Sequence, residues 1–524
     1  MTAPAAAAAP PSFGPRLAAG LGGVLLAAMM AGLGTRVGGL ALADMRGALG
    51  WGADEGAWLQ TVYLAGELVA MPFSCWLAIT FSLRRFHLYV VAAFAALALL
   101  MPWVRDFSSL LVLRAAQGLA GGLLIPVLMM AALRFLPPPI RLHGLALYAL
   151  TATFAPNLGI WLYGQWGDVV ADWRWMYWQS LLLAPAALLL VGWGLPQDPP
   201  QLGRLRQANW FGLVCAGIGL SMLAIGLDRG ARLDWWRSDL IILMLGGGAA
   251  LVALFLLSEY FHPAPFLKPQ LLARRNLAVG FSAFVLLLMV MLSGSLLPAM
   301  HLERIWGYRS LQSAPIGLII ALPQLVLGSA VAWLLYRRWV DARLVFAGGL
   351  ALIGLACLLG ARITVDWTWP YFLLLQGLHA FGQPMAVVAM LFLCTGVVLP
   401  PEGQYVAGTV NTIRAFGSMF GGAVLGHFLS LRERWHSEYL ADAAGQNAAA
   451  LAPASLPGGV EGLAGALQQQ AWVLAAADGY RLLAALSFLL IIPVLCLQRV
   501  PAPGTSPPAA AAAGPRAANP ILKD

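Results

Sequence analysis

Long apolar runs separated by short polar ones fill most of the 524-residue chain. A helix needs about 20 apolar residues to cross some 30 Å of hydrocarbon. Windows of that kind begin near Leu17, Ala57, Leu88, Leu110, Leu145, Met176 and Trp210, and again near Ile241, Leu277, Ala314, Leu344, Tyr371, Val406 and Arg481. The pattern predicts an all-α integral membrane protein with 14 transmembrane helices. Arginine pairs at 84–85, 204/206, 274–275 and 337–338 fall on the side that an even number of spans gives to both termini. That bias predicts cytoplasmic termini.

Between the windows, residues 196–208 (PQDPPQLGRLRQA) form a Pro-rich linker after the sixth span. Residues 431–477 are polar and Ala/Gln-rich and read as an outer loop, either a solvated insertion or a docking element. Residues 1–16 and 500–524 read as disordered cytoplasmic tails, because Ala/Pro tracts bury too little apolar surface to fold.

Composition sharpens this picture. The chain is 60% hydrophobic and 10% charged, where soluble domains carry about 25% charged residues. The net charge of +9 is dispersed, which argues against nucleic acid as a partner. Five cysteines in apolar runs give no disulfide framework and read as packing residues. The sequence contains no Gly-rich nucleotide loop, no HExxH and no nucleophile elbow, so enzymatic chemistry and a bound cofactor are not expected. Function is expected within the spans.

On these boundaries the spans hold Arg36, Arg114 and Arg414 and a single carboxylate, Glu67. Intramembrane charges are costly and functional by default. Gln60, Tyr63 and Glu67 share one helical face at i, i+3 and i+7. Glu67 is either one member of a fixed pair with Arg36 or Arg114, or a carboxylate that gains and loses a proton as its hydration changes. Asn411 and Arg414 share a face in the thirteenth span, and Gln376, His379 and Gln383 recur at helical spacing in the twelfth. The latter stripe is expected to face a cavity, with His379 either titrating or satisfied in the core. Trp161 and Tyr163 either wall such a cavity or pack.

Several segments resemble one family. RAAQG at 114–118 fits an R-x-x-Q-G pattern through Arg114, Gln117 and Gly118. LDRGARLDWW (227–236), ARRNLAVGF (273–281), LPPEG (399–403) and WRWMYW (173–178) fit other characteristic stretches. In this order over residues 17–499, the chain resembles the major facilitator superfamily, in particular its fourteen-span drug:proton antiporters of the EmrB/QacA kind. The resemblance implies a six-helix bundle at 17–195, extra helices at 209–258 and a second bundle at 259–499. It also implies efflux of amphipathic or drug-like compounds by alternating access, driven by a proton gradient across the inner membrane. In a two-membrane host it implies a periplasmic adaptor and an outer-membrane channel as partners.

Departures from the pattern are specific. LGTRVGGLALA places Gly34 where the family's first span carries an acid, with Arg36 two residues on. CWLAITFSLRR replaces the acid and glycine of the second-span loop by Ile79 and Ser82, leaving Arg84 and Arg85. The fifth-span G-P-x-x-G-G motif becomes GIWLYG, retaining Gly159 and Gly164 after Pro156 and Asn157. We expect Glu67 to replace the missing acid beside Arg114, with Arg36 tuning it. The excess of cations is expected to favour an anionic substrate. An importer or facilitator of a small organic anion, or a non-transporting sensor or assembly protein, would share the fold.

Overall fold

The computed structural model describes residues 13–446 and 459–502, and all regular structure among them is helical. The tails expected at 1–16 and 500–524 therefore lie almost wholly outside the described residues. Bundle one comprises α1 (Pro15–Leu40), the short α2 (Leu42–Leu49), α3 (Ala53–Thr80), α4 (Leu83–Leu100), α5 (Phe107–Phe135), α6 (Pro138–Gly164) and α7 (Trp175–Gly194). A hairpin of α8 (Trp210–Arg229) and α9 (Asp239–Phe261) follows. Bundle two comprises α10 (Arg275–Trp306), α11 (Ser310–Leu335), α12 (Ala342–Gly360), α13 (Leu373–Thr395), α14 (Gly403–Gln446) and α15 (Gly459–Leu495).

Local chemistry sets several of these boundaries. The Asp106 carboxylate accepts from Ser109 N at 2.7 Å, Asn209 caps Gly212 N at 2.9 Å, and Asp341 caps Arg343 N at 3.0 Å. Each satisfies an amide that a helix start would leave unpaired. Proline opens α1 and α6, where its missing N–H costs nothing.

Thirteen described helices are long and apolar enough to cross a membrane. The remaining long helix, α14, occupies the thirteenth span, its hydropathy diluted by Asn411, Arg414 and a run of glycines. Small residues set the tightest helix crossings. A Cβ at Gly118 would sit 2.1 Å from the Tyr63 carbonyl oxygen, and one at Gly122 would sit 2.2 Å from that of Glu67, so α5 can meet α3 only with glycine there. The bundles meet along α6–α11 and α3–α14. At Gly164 a Cβ would come within 2.8 Å of the Leu311 backbone.

The structure corrects three expectations. The segment 431–477 is not a loop where it is described: α14 continues to Gln446, and α15 runs from Gly459. Arg432 and His436 of α14 both meet Asp478 of α15 and hold the two helices together, while Arg481 pairs with Asp478 within α15. Glu67 is also not the sole buried carboxylate. Fully buried Glu259 in α9 accepts from Asn209 Nδ2 at 2.8 Å and Leu267 N at 2.8 Å, and Asp228 of α8, exposed at its helix end, accepts from the Thr61 hydroxyl of α3. Both sit in the last turn of their helices, where counting from apolar windows assigns them to loops. Finally, Cys496 is exposed, whereas the other four cysteines are buried; all five are free.

Two of the sequence segments find their purpose here. Arg274 grips Glu402 through two bonds of 2.6 and 2.7 Å, tying ARRNLAVGF to LPPEG on the face that carries the chain ends. On the far face LDRGARLDWW ties the hairpin to bundle one. Arg229 and Arg232 both pair with Asp54, and Arg229 lies 4.3 Å above the Trp58 ring.

Candidate functional site

A cavity of about 330 Å³ lies between the bundles. It is lined by α1 (Thr35, Arg36), α3 (Gln60, Glu67), α6 (Pro156, Asn157), α10 (Met291), α13 (Gln383) and α14 (Arg414), among others. Both ends of the inter-bundle seam carry contacts. On the far face Asp168 pairs with Arg309 at 2.7 Å and accepts from Leu311 N at 2.8 Å, so a carboxylate of bundle one caps the first turn of α11. On the terminal face Tyr336 donates to Pro138 O at 3.1 Å and accepts from Leu142 N at 3.1 Å.

Glu67 is 7% exposed and reaches the cavity from α3. Its side-chain partner is Thr35, whose hydroxyl lies 3.2 Å from Oε2 and 3.1 Å from the Tyr63 hydroxyl. No guanidinium comes within ion-pair distance of Glu67 among the described residues, so neither expected pair, with Arg36 or with Arg114, is present.

The three arginines differ in what holds them. Arg114 is 1% exposed and held on several sides, although its Nε is buried without a partner. It donates to Gln117 Oε1 at 2.7 Å and Gln60 Oε1 at 3.3 Å, and stacks 4.3 Å from the Tyr63 ring centroid and 5.5 Å from that of Tyr177. Gly38 of α1 makes room for it, since a Cβ there would lie 2.4 Å from Nη2. Arg414 donates to the Thr151 hydroxyl at 3.3 Å across the seam. Arg36 makes no side-chain hydrogen bond or ion pair among the described residues; its Nε is buried without a partner, as are those of Arg114 and Arg414, but it lacks the terminal-nitrogen contacts that hold the other two.

Of the remaining expected positions, Gln60, Pro156, Asn157 and Gln383 line the cavity, whereas Tyr63, Gln117 and Gly118 shape the Arg114 nest behind it. Gly159 gives the Arg36 stem a lane, a Cβ there meeting Arg36 Cγ at 2.8 Å. Trp161 and Tyr163 do not line the cavity. Tyr163 is drawn to the far face, where its hydroxyl donates to Asp44 of α2. Gln376 and His379 also miss it, being spent on packing α13 against α10: Gln376 donates to Gly294 O at 2.8 Å, and His379 Nε2 lies 3.1 Å from the Ser293 hydroxyl. Asn411 accepts from the Tyr148 hydroxyl at 2.9 Å beside the cavity rather than in it. Arg84 and Arg85 open α4 with no ion pair among the described residues.

Ser82, which stands where the family pattern has glycine, has φ +74° and accepts from Gln197 Nε2 at 3.1 Å. The glycine-type turn persists although the glycine does not.

Sequence reasoning missed Thr35, Thr151 and Tyr148, all hydroxyls that bind intramembrane charge or amide groups. Thr35 had a visible signal, since it sits between Gly34 and Arg36 in the altered first-span motif.

Two bundles of apolar, membrane-length helices around a shared, mostly apolar cavity that a few charged side chains enter define a multi-pass membrane transporter rather than an enzyme. The description of the major facilitator superfamily matches residues 24–264 of the chain. It is 26% identical over 429 residues to the multidrug export protein EmrB of Escherichia coli K12, covering 80% of this chain and 81% of that one. It is 25% identical to the fatty acid resistance protein FarB of Neisseria gonorrhoeae, covering 80% and 82%. Among solved structures, the human organic anion transporter MFSD10 (TETRAN) superposes with a TM-score of 0.59 over 92% of this chain and all of that one, at 15% identity. That likeness supports the fold.

Proposed function

We propose that the protein is an inner-membrane efflux permease that exports amphipathic compounds by proton antiport, with Glu67 as the carboxylate that binds and releases the proton. The names of its relatives, a multidrug export protein and a fatty acid resistance protein, support the outward direction and the substrate class. The observation that carries the coupling role is the state of Glu67. It faces a cavity shared by both bundles and accepts from a neutral hydroxyl, with no guanidinium fixing its charge. A carboxylate held that way can change protonation as the cavity changes hydration. Alternating access would break the Asp168–α11 contact on one face and the Tyr336–α6 contact on the other. Both termini are read as cytoplasmic, which makes the far face periplasmic. The helical extensions of α14 and α15 would then be the surface offered to an adaptor and outer-membrane channel.

The test is proton-gradient-driven flux of amphipathic cations and organic acids in inside-out vesicles, wild type against Glu67→Gln at matched folded expression. Loss of driven transport with substrate binding retained supports the assignment. Driven transport that survives the substitution removes Glu67 from coupling. Movement opposite to export would favour an importer.

A further inference from the structure

We propose that Arg36 is the anion-recognition residue of the cavity, and that the ligand it selects is an amphipathic carboxylate. This rests on the cavity being the transport site, but not on the direction of transport or on Glu67 coupling.

The argument starts from accounting for buried charge. A guanidinium cannot shed its proton, so it must be paired, hydrated or awaiting a partner. Arg114 has two glutamine acceptors and two aromatic faces, and Arg414 has Thr151. Arg36 has no such partner among the described residues, yet its side chain lines the cavity with its stem laid along the gap left by Gly159. A guanidinium presents a fork of donors matched to a carboxylate.

The rest of the wall fits the other parts of such a ligand. Asn157 donates its amide N–H to Thr153 O at 2.6 Å and leaves Oδ1 buried without a partner, as does Gln383 with Oε1. These acceptors would take an O–H or N–H from the body of the ligand. Ile125, Leu288, Met291 and Met419 supply apolar and, through methionine, adaptable surface. With Arg36, Arg414 and ionised Glu67 the lining carries a net positive charge, so one guanidinium has no counter-charge on the wall. Arg36 is the one left for the ligand. This reassigns it from tuning the carboxylate of α3 to selecting the substrate.

The experiment is equilibrium binding to the purified full-length protein in nanodiscs at fixed pH. The probes are 1-naphthaleneacetate, its uncharged primary amide and 1-naphthylmethylammonium. We expect the wild type to bind the carboxylate at least ten-fold more tightly than the amide, and the ammonium most weakly. Arg36→Gln should abolish the acid-over-amide preference, and Arg36→Lys should keep part of it. Glu67→Gln, which removes the negative charge from the lining, should keep or raise it while losing driven flux in vesicles. Equal affinity of the wild type for acid and amide overturns the proposal whether or not any variant folds. An undiminished preference in folded Arg36→Gln also overturns it. If the preference behaves as expected but Glu67→Gln still drives flux, the coupling assignment falls and the anion site stands.

Discussion

The polar residues of the two bundles are put to different uses. In bundle one, Gln60, Glu67 and Arg36 point into the shared space, and a second layer of Arg114, Gln117 and Tyr63 holds them from behind. In bundle two the matching stripe of Gln376 and His379 is turned into α10, and Gln324 donates to Ala380 O at 3.1 Å, so those amides and the imidazole serve helix packing. Only Gln383 and Arg414 of that set reach the cavity. Similar residue types at similar spacing therefore face the cavity in one half and pack helices together in the other. The rotation of each helix about its axis decides which.

The sharpest way to break this contrast is to neutralise one group on each side. Glu67→Gln should lower proton-driven flux at least ten-fold, whereas His379→Gln should leave it within about two-fold. Comparable losses in vesicle assays would mean that the second bundle shares in coupling. Next in size is the packing beneath the site. Gly118→Val drives a side chain into the Tyr63 carbonyl and should destabilise the fold by at least the 1–3 kcal/mol typical of overpacking. Gly422→Val in α14, where a Cβ would meet nothing within 4 Å, should be nearly neutral. Melting of the two variants in detergent checks the difference.

These outcomes bear on how much was legible in the sequence. The spans were, because each lipid crossing needs its own apolar length, and Glu67 was, because a carboxylate in such a run stands alone. Its partner was not. Spacing along α3 fixes which residues share a face, but Thr35 and Arg36 are adjacent in α1 and only the packing of that helix turns the hydroxyl toward Glu67. Tyr163 misled for a related reason. The 8-residue α2 reads as a loop, yet it presents Asp44 to the tyrosine hydroxyl and draws the ring away from the cavity. Only the polar extensions of α14 and α15, within 431–477, were read as a loop, from polarity, which says whether a segment meets water and not whether it is helical.

Smaller effects are expected on the terminal face. The Arg274 hydrogen bonds hold the Glu402 carboxyl below its ordinary value of 4.5. A depressed carboxylate stabilises the fold above its unfolded pKa, and that contribution fades as pH falls through the folded one. Glu402→Gln should therefore lower the melting temperature at pH 7, and the gap to wild type should close once the pH is taken below 4.5, well into the acid range. The smallest effect should be a gain. At φ +74° Ser82 carries strain of about 1–3 kcal/mol. Ser82→Gly relieves it at the expense of the Gln197 contact and of added freedom in the unfolded chain. A net rise in stability of about 1 kcal/mol or less is expected, read as a slightly higher melting temperature.

The length of α14 has a mechanical consequence. Its 44 residues make a rod of about 66 Å, roughly twice the thickness of the hydrocarbon layer. The same rod carries Arg414 at the cavity and, six turns further on, His436 at the Asp478 junction with α15. A tilt of bundle two about the cavity would displace the far tip more than the cavity itself, so the tip is the place where such a tilt would be easiest to read.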